Sequence, residues 1–305
     1  MNYGTRPSLM NRNPRQIGIA QVMLSGVFFG VLGVSGKSVF ENGVKAGELL
    51  SLRFLIAAIL LWPVVLILFP RHWRLRPREI ALCAGLGTGG YALFSSCFFL
   101  ALQGMSASLT VLLLYLYPIF VSLLAWMFLG EKIPRQKWPA LPLAMIGLVL
   151  LVWDEFSVER VSSLLLGVGS AVFYSAYILV SSRFLKGIPP LVSITYILSF
   201  AGIALSALHQ RDLEHVTVQL TENWRAMLAI VFLGTVGAMT LFLAGLQKLK
   251  AWEVSILSML EPITGIALAV LILGERLNSW QGIGAAGIMG ALVFVSLPSK
   301  RSESG

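Results

Sequence analysis

Glu261 stands in the middle of a long apolar stretch, LEPITGIALAVLIL over residues 260–273, with Pro262 beside it. A carboxylate at the centre of a membrane helix costs roughly 2.5–3.5 kcal/mol on insertion scales, while each aliphatic neighbour returns about 0.3–0.6. The segment still inserts, but the carboxylate then needs a partner, a water-filled cavity or a proton. In a cavity it would bind a cationic group or exchange a proton, which makes it the coupling candidate. The structural alternative is a Glu hydrogen-bonded to neighbouring helices that steadies the backbone ahead of Pro262.

Aromatic and hydroxyl residues recur at helical spacing elsewhere. One set is Gly167, Ser170, Tyr174, Tyr177 and Ser181, another is Thr88, Tyr91 and Ser95, and a third is Ser255, Ser258, Glu261 and Thr264. Steps of three and four put each set on one helix face. Aromatic rings with a few hydroxyls suit a pocket for a small amphipathic solute. With Tyr115 and Tyr117, these sets supply the candidate substrate contacts Tyr91, Ser95, Tyr115, Tyr117, Tyr174, Tyr177, Ser181, Glu261 and Thr264. The competing reading is that small polar residues pack helices together and that hydroxyls bond back to their own backbone. Pro118 and Pro262 read as kink or hinge positions within apolar helices.

The elements that must position these residues follow from composition. Of the 305 residues, 57% are hydrophobic and 12% charged, with a mean hydropathy of +0.82; a soluble domain carries about a quarter charged residues. Spanning a bilayer core takes roughly 20 apolar residues. Ten windows qualify: 17–36, 48–69, 79–101, 106–129, 136–153, 162–182, 190–208, 224–246, 251–273 and 279–297. The fold class is an all-α integral membrane protein with a polar tail over 1–16. Cys83 and Cys97 share one window, about 21 Å apart along a helix, out of disulfide reach.

The net charge of +9 describes orientation rather than a nucleic-acid partner. With ten spans, sixteen of the twenty-three Lys and Arg fall on the side of the two termini, six on the other, and Arg53 within a span. The positive-inside rule places that basic side, with both termini, in the cytoplasm. Arg53 lies near the outer end of its span; it could attract an anionic group, but the favoured expectation is that it snorkels outward. Lys37 ends the first span and invites the same reading.

The chain repeats itself. Residues 101–132 register against 245–276 without a gap, with twelve of thirty-two positions identical, among them Gln103/Gln247, Pro118/Pro262, Gly130/Gly274 and Glu131/Glu275. Ser25, Val27 and Phe28 match Ser170, Val172 and Phe173 more faintly. Five spans per half is odd, so the second half enters the membrane from the opposite side. Residues 17–153 and 162–297 then form two inverted five-helix repeats, joined by a loop at 154–161 and followed by a tail at 298–305. Inverted repeats give alternating access a geometric basis, with the site between the halves. Tyr117 stands where Glu261 stands in the other half, so such a site is chemically asymmetric. Glu131 and Glu275, at helix ends, read as loop and capping residues.

Ten helices, two five-helix halves and the paired P-x10-LGE pattern resemble the EamA-type family of the drug/metabolite transporter superfamily. Leu116–Lys132 and Leu260–Arg276 carry the resemblance most strongly, with the Arg53–Phe54 pair in the second span. It implies a ten-helix basket with a central cavity, in a bacterial inner membrane, exporting small metabolites such as amino acids. Nothing in the chain resembles an ATP-binding domain, so the expected driving force is a gradient, with proton coupling through Glu261 as one form and facilitated diffusion as the alternative. The rivals are a membrane-embedded enzyme acting on a lipid and a non-transporting receptor or scaffold.

Other motifs fail on context. Gly85, Gly87 and Gly90 satisfy GxGxxG inside an apolar helix with no preceding strand, which is helix packing and not a dinucleotide site. The run ending Lys37–Ser38 misses phosphate-loop spacing by one residue, and Gly26 and Gly30 read better as a close helix contact. His72, His209 and His215 lie outside every window, so neither a metal site nor a cofactor is expected. Gly282, Ala286 and Gly290 form a small-residue track that could pair two copies as a homodimer or pack within the bundle.

Overall fold

The computed structural model describes residues 13–41, 44–153, 157–208, 222–274 and 276–298. Segments of some twenty apolar residues have no water to satisfy their backbone, so they close their hydrogen bonds internally as helices. These are α1 (Pro14–Glu41), α2 (Ala46–Leu68), α3 (Pro77–Leu102), α4 (Ala107–Leu114), α5 (Tyr117–Leu129), α6 (Ala140–Leu151), α7 (Val161–Phe184), α8 (Pro190–Leu208), α9 (Trp224–Leu246), α10 (Ala251–Leu257), α11 (Leu260–Leu273) and α12 (Ser279–Ser296). Helices α4 and α5 together make one span, and so do α10 and α11. Exposed Trp126 and Trp138 lie toward the termini side and Trp153, Trp224 and Trp280 toward the far side, the two interfacial belts of a membrane protein.

Local chemistry sets the helix ends. Ser106 accepts from the Leu109 amide at the start of α4, and Asn278 accepts from Gln281 at the start of α12. Gly130 and Gly274, the glycines of the repeated LGE motif, end α5 and α11 with φ of +66° and +70°. That left-handed cap favours glycine, which explains why the motif carries it twice.

Among the described residues nine segments are long and apolar enough to cross a bilayer. The exception is the fifth window. It reads as a span over 136–153, yet α6 covers only twelve residues, about 18 Å at 1.5 Å per residue. Residues 135–137 form a separate tight turn between Pro134 and Pro139, with Lys137 drawn away to another helix end.

Helix contacts obey one exchange rule. Swapping the first five spans for the last five turns the α1–α11 contact into the contact of α7 with α4 and α5, and α1–α9 into α7–α3. The pairs α2–α8 and α6–α12 map onto themselves. This two-fold relation between halves of odd span number is the inverted-repeat architecture expected from the sequence. Helices α3 and α9 also carry π-helical stretches at matching places, Leu86–Ala92 and Ala229–Gly237.

Glycines set the closest approaches. Gly26 and Gly30 of α1 lie against Leu260 and Thr264 of α11, as their spacing indicated. Helices α6 and α12 meet at Gly147 and Gly284. A Cβ on Gly284 would come within 2.5 Å of the Gly147 carbonyl oxygen and of the Leu151 amide nitrogen. The track Gly282, Ala286 and Gly290 faces outward instead, and a Cβ on Gly282 would meet nothing within 4 Å.

Gly284→Ala is therefore expected to cost about 1–3 kcal/mol, because backbone on both sides must give. Gly282→Ala is expected to leave stability unchanged or slightly raised. Melting temperatures of the two purified variants check the contrast; equal behaviour would contradict the packing described.

Candidate functional site

Two broken helices meet at the centre. The chain leaves α-helical geometry at Tyr115–Leu116 and again at Ser258–Met259, then restarts as α5 and α11. The sequence placed kinks at the prolines, but the breaks come earlier. Pro118 and Pro262 sit in the first turn of the new helix, where a missing amide leaves no intrahelical bond unmade. The Ser258 carbonyl, four residues before Pro262, accepts from the Glu261 amide at 3.0 Å instead. Across the repeat interface the Tyr117 hydroxyl donates to the Ser255 carbonyl at 3.1 Å, and the Ser175 hydroxyl donates to the Tyr117 carbonyl at 3.2 Å.

The restart of α11 gives Glu261 its setting. It lies in the first helical turn, where unpaired amides carry partial positive charge and a carboxylate gains about 0.3–1 kcal/mol. The Tyr115 hydroxyl neighbours the carboxylate in the cavity wall.

Glu261 forms part of the wall of a cavity of about 330 Å³. Tyr115, Tyr117 and Tyr174 surround it at mid-depth, and Tyr91, Phe94, Ser95, Phe98 and Phe99 line α3. Gly33, Gly36, Leu49, Leu50 and Leu102 carry the lining toward the helix ends opposite the termini. The aromatic rings brace one another. Tyr174 sits 4.8 Å from Phe94 and 4.9 Å from Tyr117, and Tyr91 sits 5.1 Å from Phe54, centroid to centroid. Such an enclosure offers apolar surface with a few fixed polar atoms.

Of the residues singled out in the sequence, Tyr91, Ser95, Tyr115, Tyr117, Tyr174 and Glu261 converge on this cavity. The others do not. Tyr177 packs behind Tyr91 at 5.5 Å, Ser181 is buried one turn further on, and both lie outside the lining. Thr264 donates to its own helix at Leu260 and packs against α1. Thr88, Ser170, Ser255 and Ser258 likewise bond back to carbonyls three or four residues earlier. Glu131 does cap, but on another helix: its carboxylate accepts the Ala251 amide of α10 at 2.9 Å. Burial raises the Glu131 carboxyl above its ordinary range, opposed by that amide and by Lys250. Glu275, His209 and His215 lie outside the described residues.

Sequence reasoning favoured snorkelling for Arg53 and left it out of the site. It does not snorkel: it is 8% exposed and lines the cavity, its guanidinium carbon 4.6 Å from the Phe54 ring centre. Missed too were the phenylalanines, although Tyr91, Ser95, Phe98 and Leu102 follow one another at helical spacing.

On the termini side a polar clasp joins α1, α10, α12 and the turn before α6. Arg15 of α1 pairs with Glu253 of α10 at 2.8 Å and donates to the Val295 and Ser296 carbonyls of α12. Lys137 donates to the Val295 and Leu297 carbonyls at 2.5 and 2.7 Å. The last carbonyls of a helix lack internal partners and favour cations. Gln247 does the same for α7, donating to Leu185 and Ile188.

These features have counterparts in known proteins. A family model described as the EamA-like transporter family matches residues 16–153 and again residues 161–297. The uncharacterized transporter YwfM of Bacillus subtilis is 29% identical over 218 residues, 70% of this chain and 73% of that protein. A probable amino-acid metabolite efflux pump of Salmonella typhimurium is 26% identical over 258 residues, covering 80% and 83%. One crystal structure superimposes with a TM-score of 0.78 over 94% of this chain and 99% of its own, at 20% identity, which supports the fold.

The clasp yields a measurable coupling. Glu253→Gln strands the Arg15 guanidinium, whereas Arg15→Met together with Glu253→Gln removes both charges. The double variant is expected to be more stable than the summed single losses predict, by about 0.5–3 kcal/mol. Denaturation in mixed micelles reads the cycle, and strict additivity would show that the pair contributes nothing.

Proposed function

Because the chain belongs to the EamA-like transporter family and is a multi-pass membrane transporter, we propose that it is a secondary transporter exporting a small organic metabolite. The cargo is an amino acid or a related compound, carried across a bacterial inner membrane by alternating access, with both termini in the cytoplasm. The observation that carries this reading is Glu261: a carboxylate in the wall of an aromatic cavity, on the broken helix of one repeat and facing the other. Two relatives named as probable amino-acid metabolite efflux pumps, from Salmonella typhimurium and Escherichia coli, support the cargo class and direction.

In the proposed cycle the cavity is open on the far side and the clasp is shut on the cytoplasmic side. Exchange of the two halves' conformations opens the clasp and closes the far side, because each repeat can adopt the other's arrangement. Tyr91, Ser95, Tyr115, Tyr117 and Tyr174 would cup the cargo. Glu261 would take its cationic group, or would carry a proton inward as the cargo leaves. A proton gradient then supplies the driving force. The contacts are those of a binding pocket, with Glu261 the one carboxylate in its lining among the described residues, which favours transport over hydrolysis or group transfer.

Ligand-dependent melting of the purified protein tests this, with amino acids, polyamines, nucleosides and organic acids on wild type and Glu261→Gln. A ligand at one hundred times its dissociation constant adds about 2.7 kcal/mol of apparent stability. An amino acid or related amine is expected to raise the wild-type melting temperature and to lose that effect in Glu261→Gln. The same compound should drive counterflow in proteoliposomes. Binding without flux would contradict transport, and binding indifferent to the substitution would remove Glu261 from the site.

A further inference from the structure

Arg53 is the second charge in the cavity wall, and its surroundings leave it incompletely satisfied. It sits in the second turn of α2, more than nine-tenths buried. Its Nε hydrogen meets no acceptor. No carboxylate lies within 4.0 Å of it, since the ion pair formed among the described residues is Arg15–Glu253. The Tyr91 hydroxyl is beside it, and Glu261 is near enough to act on it through space without touching. A guanidinium has five donors in a fixed planar fork, and hydrocarbon supplies no acceptors. A guanidinium lining the cavity with no carboxylate in contact is therefore the feature of this wall that asks for a ligand.

The separation of the two charges matters as much as their burial. Were Arg53 and Glu261 in contact, they would neutralise each other and form a structural pair. Instead they stand apart, with Tyr91, Tyr115 and the apolar lining of the cavity around them. The cavity thus has a cationic pole on α2, in the first repeat, and an anionic pole on α11, in the second. A solute bound to both would bridge the two repeats that alternating access moves.

We propose that Arg53 is the anion-binding residue of this cavity, gripping a carboxylate of the cargo through its terminal guanidinium nitrogens, with the Tyr91 hydroxyl as a further donor. This rests on the cavity being the transport site and adds what the cargo must carry: a free carboxylate on one side and, facing Glu261, a cationic or proton-donating group. Fork geometry matches the two oxygens of a carboxylate. A bare amine, or an amide of the same acid, would leave the guanidinium unpaired.

Binding of matched probes tests it. Wild-type protein in nanodiscs is titrated calorimetrically with the L-amino acids and, for each binder, with its carboxamide. Arg53→Met and Arg53→Lys are titrated alongside. The expected result is at least tenfold weaker binding of the amide than of the acid in wild type. Arg53→Met should weaken the acid at least tenfold, leave the amide within about twofold, and so erase the preference. Arg53→Lys keeps the charge without the fork and should fall between, which holds the test open if Arg53→Met does not fold. Acid and amide binding equally to wild type, or an unchanged acid preference in either variant, overturns the role of Arg53. If those ligands still depend on Glu261, the transport reading survives without it. Failure of every acid and every amide to bind wild type overturns both.

Discussion

A carboxylate in the middle of a hydrocarbon slab is a demand that the rest of this structure meets. Glu261 cannot be accommodated on a continuous lipid-facing helix without a penalty of roughly 2.5–3.5 kcal/mol. The chain answers by breaking the helix just before it, at Ser258–Met259, so that the carboxylate occupies the first turn of α11. There the helix dipole and the cavity share the burden. The proline that follows does not cause the break so much as tolerate it. Gly26 and Gly30 then let α1 lie close along this restart, so the site is rigidly framed from behind and open in front.

The two-fold repeat makes a second break obligatory at Tyr115–Leu116, and there the two halves part ways chemically. Tyr117 occupies the place of Glu261, and its hydroxyl is committed to the Ser255 carbonyl of the opposite repeat. One half therefore supplies a neutral residue locked across the interface, the other a charge facing the cavity. The same logic governs the termini side of the bundle. Helix-end carbonyls that would otherwise be unpaired are held by Arg15, Lys137 and Gln247 from other spans. Those bonds are polar and few, and Lys137 and Glu253 are buried in making them.

Much of this was legible in the sequence. The offset of 144 residues between the LGE motifs carried the repeat, the odd span number carried the inversion, and Glu261 stood out by its apolar context. What failed did so for physical reasons. The face Thr88–Tyr91–Ser95 assumes 3.6 residues per turn, but Leu86–Ala92 is π-helical and shifts the phase, so Thr88 points outward while Tyr91 and Ser95 point in. On α7 the period holds, yet Tyr177 and Ser181 run past the cavity floor that Tyr174 and Tyr117 form. Most hydroxyls bond to their own helix, a choice that spacing does not reveal. Arg53 was misjudged because distance from a helix end says how far a side chain could reach, not which way it turns. The fifth span came out short because Pro134 and Pro139 reserve residues 135–137 for a turn.

The claim on which the rest turns is that Glu261 meets water through the cavity and not lipid through the bundle's flank. Carbodiimide modification followed by mass spectrometry of the peptide containing Glu261 measures this without knowledge of the cargo. Reagent would be added to one side of oriented vesicles at a time. The account predicts that a charged, membrane-impermeant carbodiimide modifies Glu261 from the side opposite the termini, and more slowly in a Gly33→Trp variant that plugs the cavity. Modification only by a lipid-soluble carbodiimide, indifferent to the plug, would place the carboxylate against lipid and contradict the account.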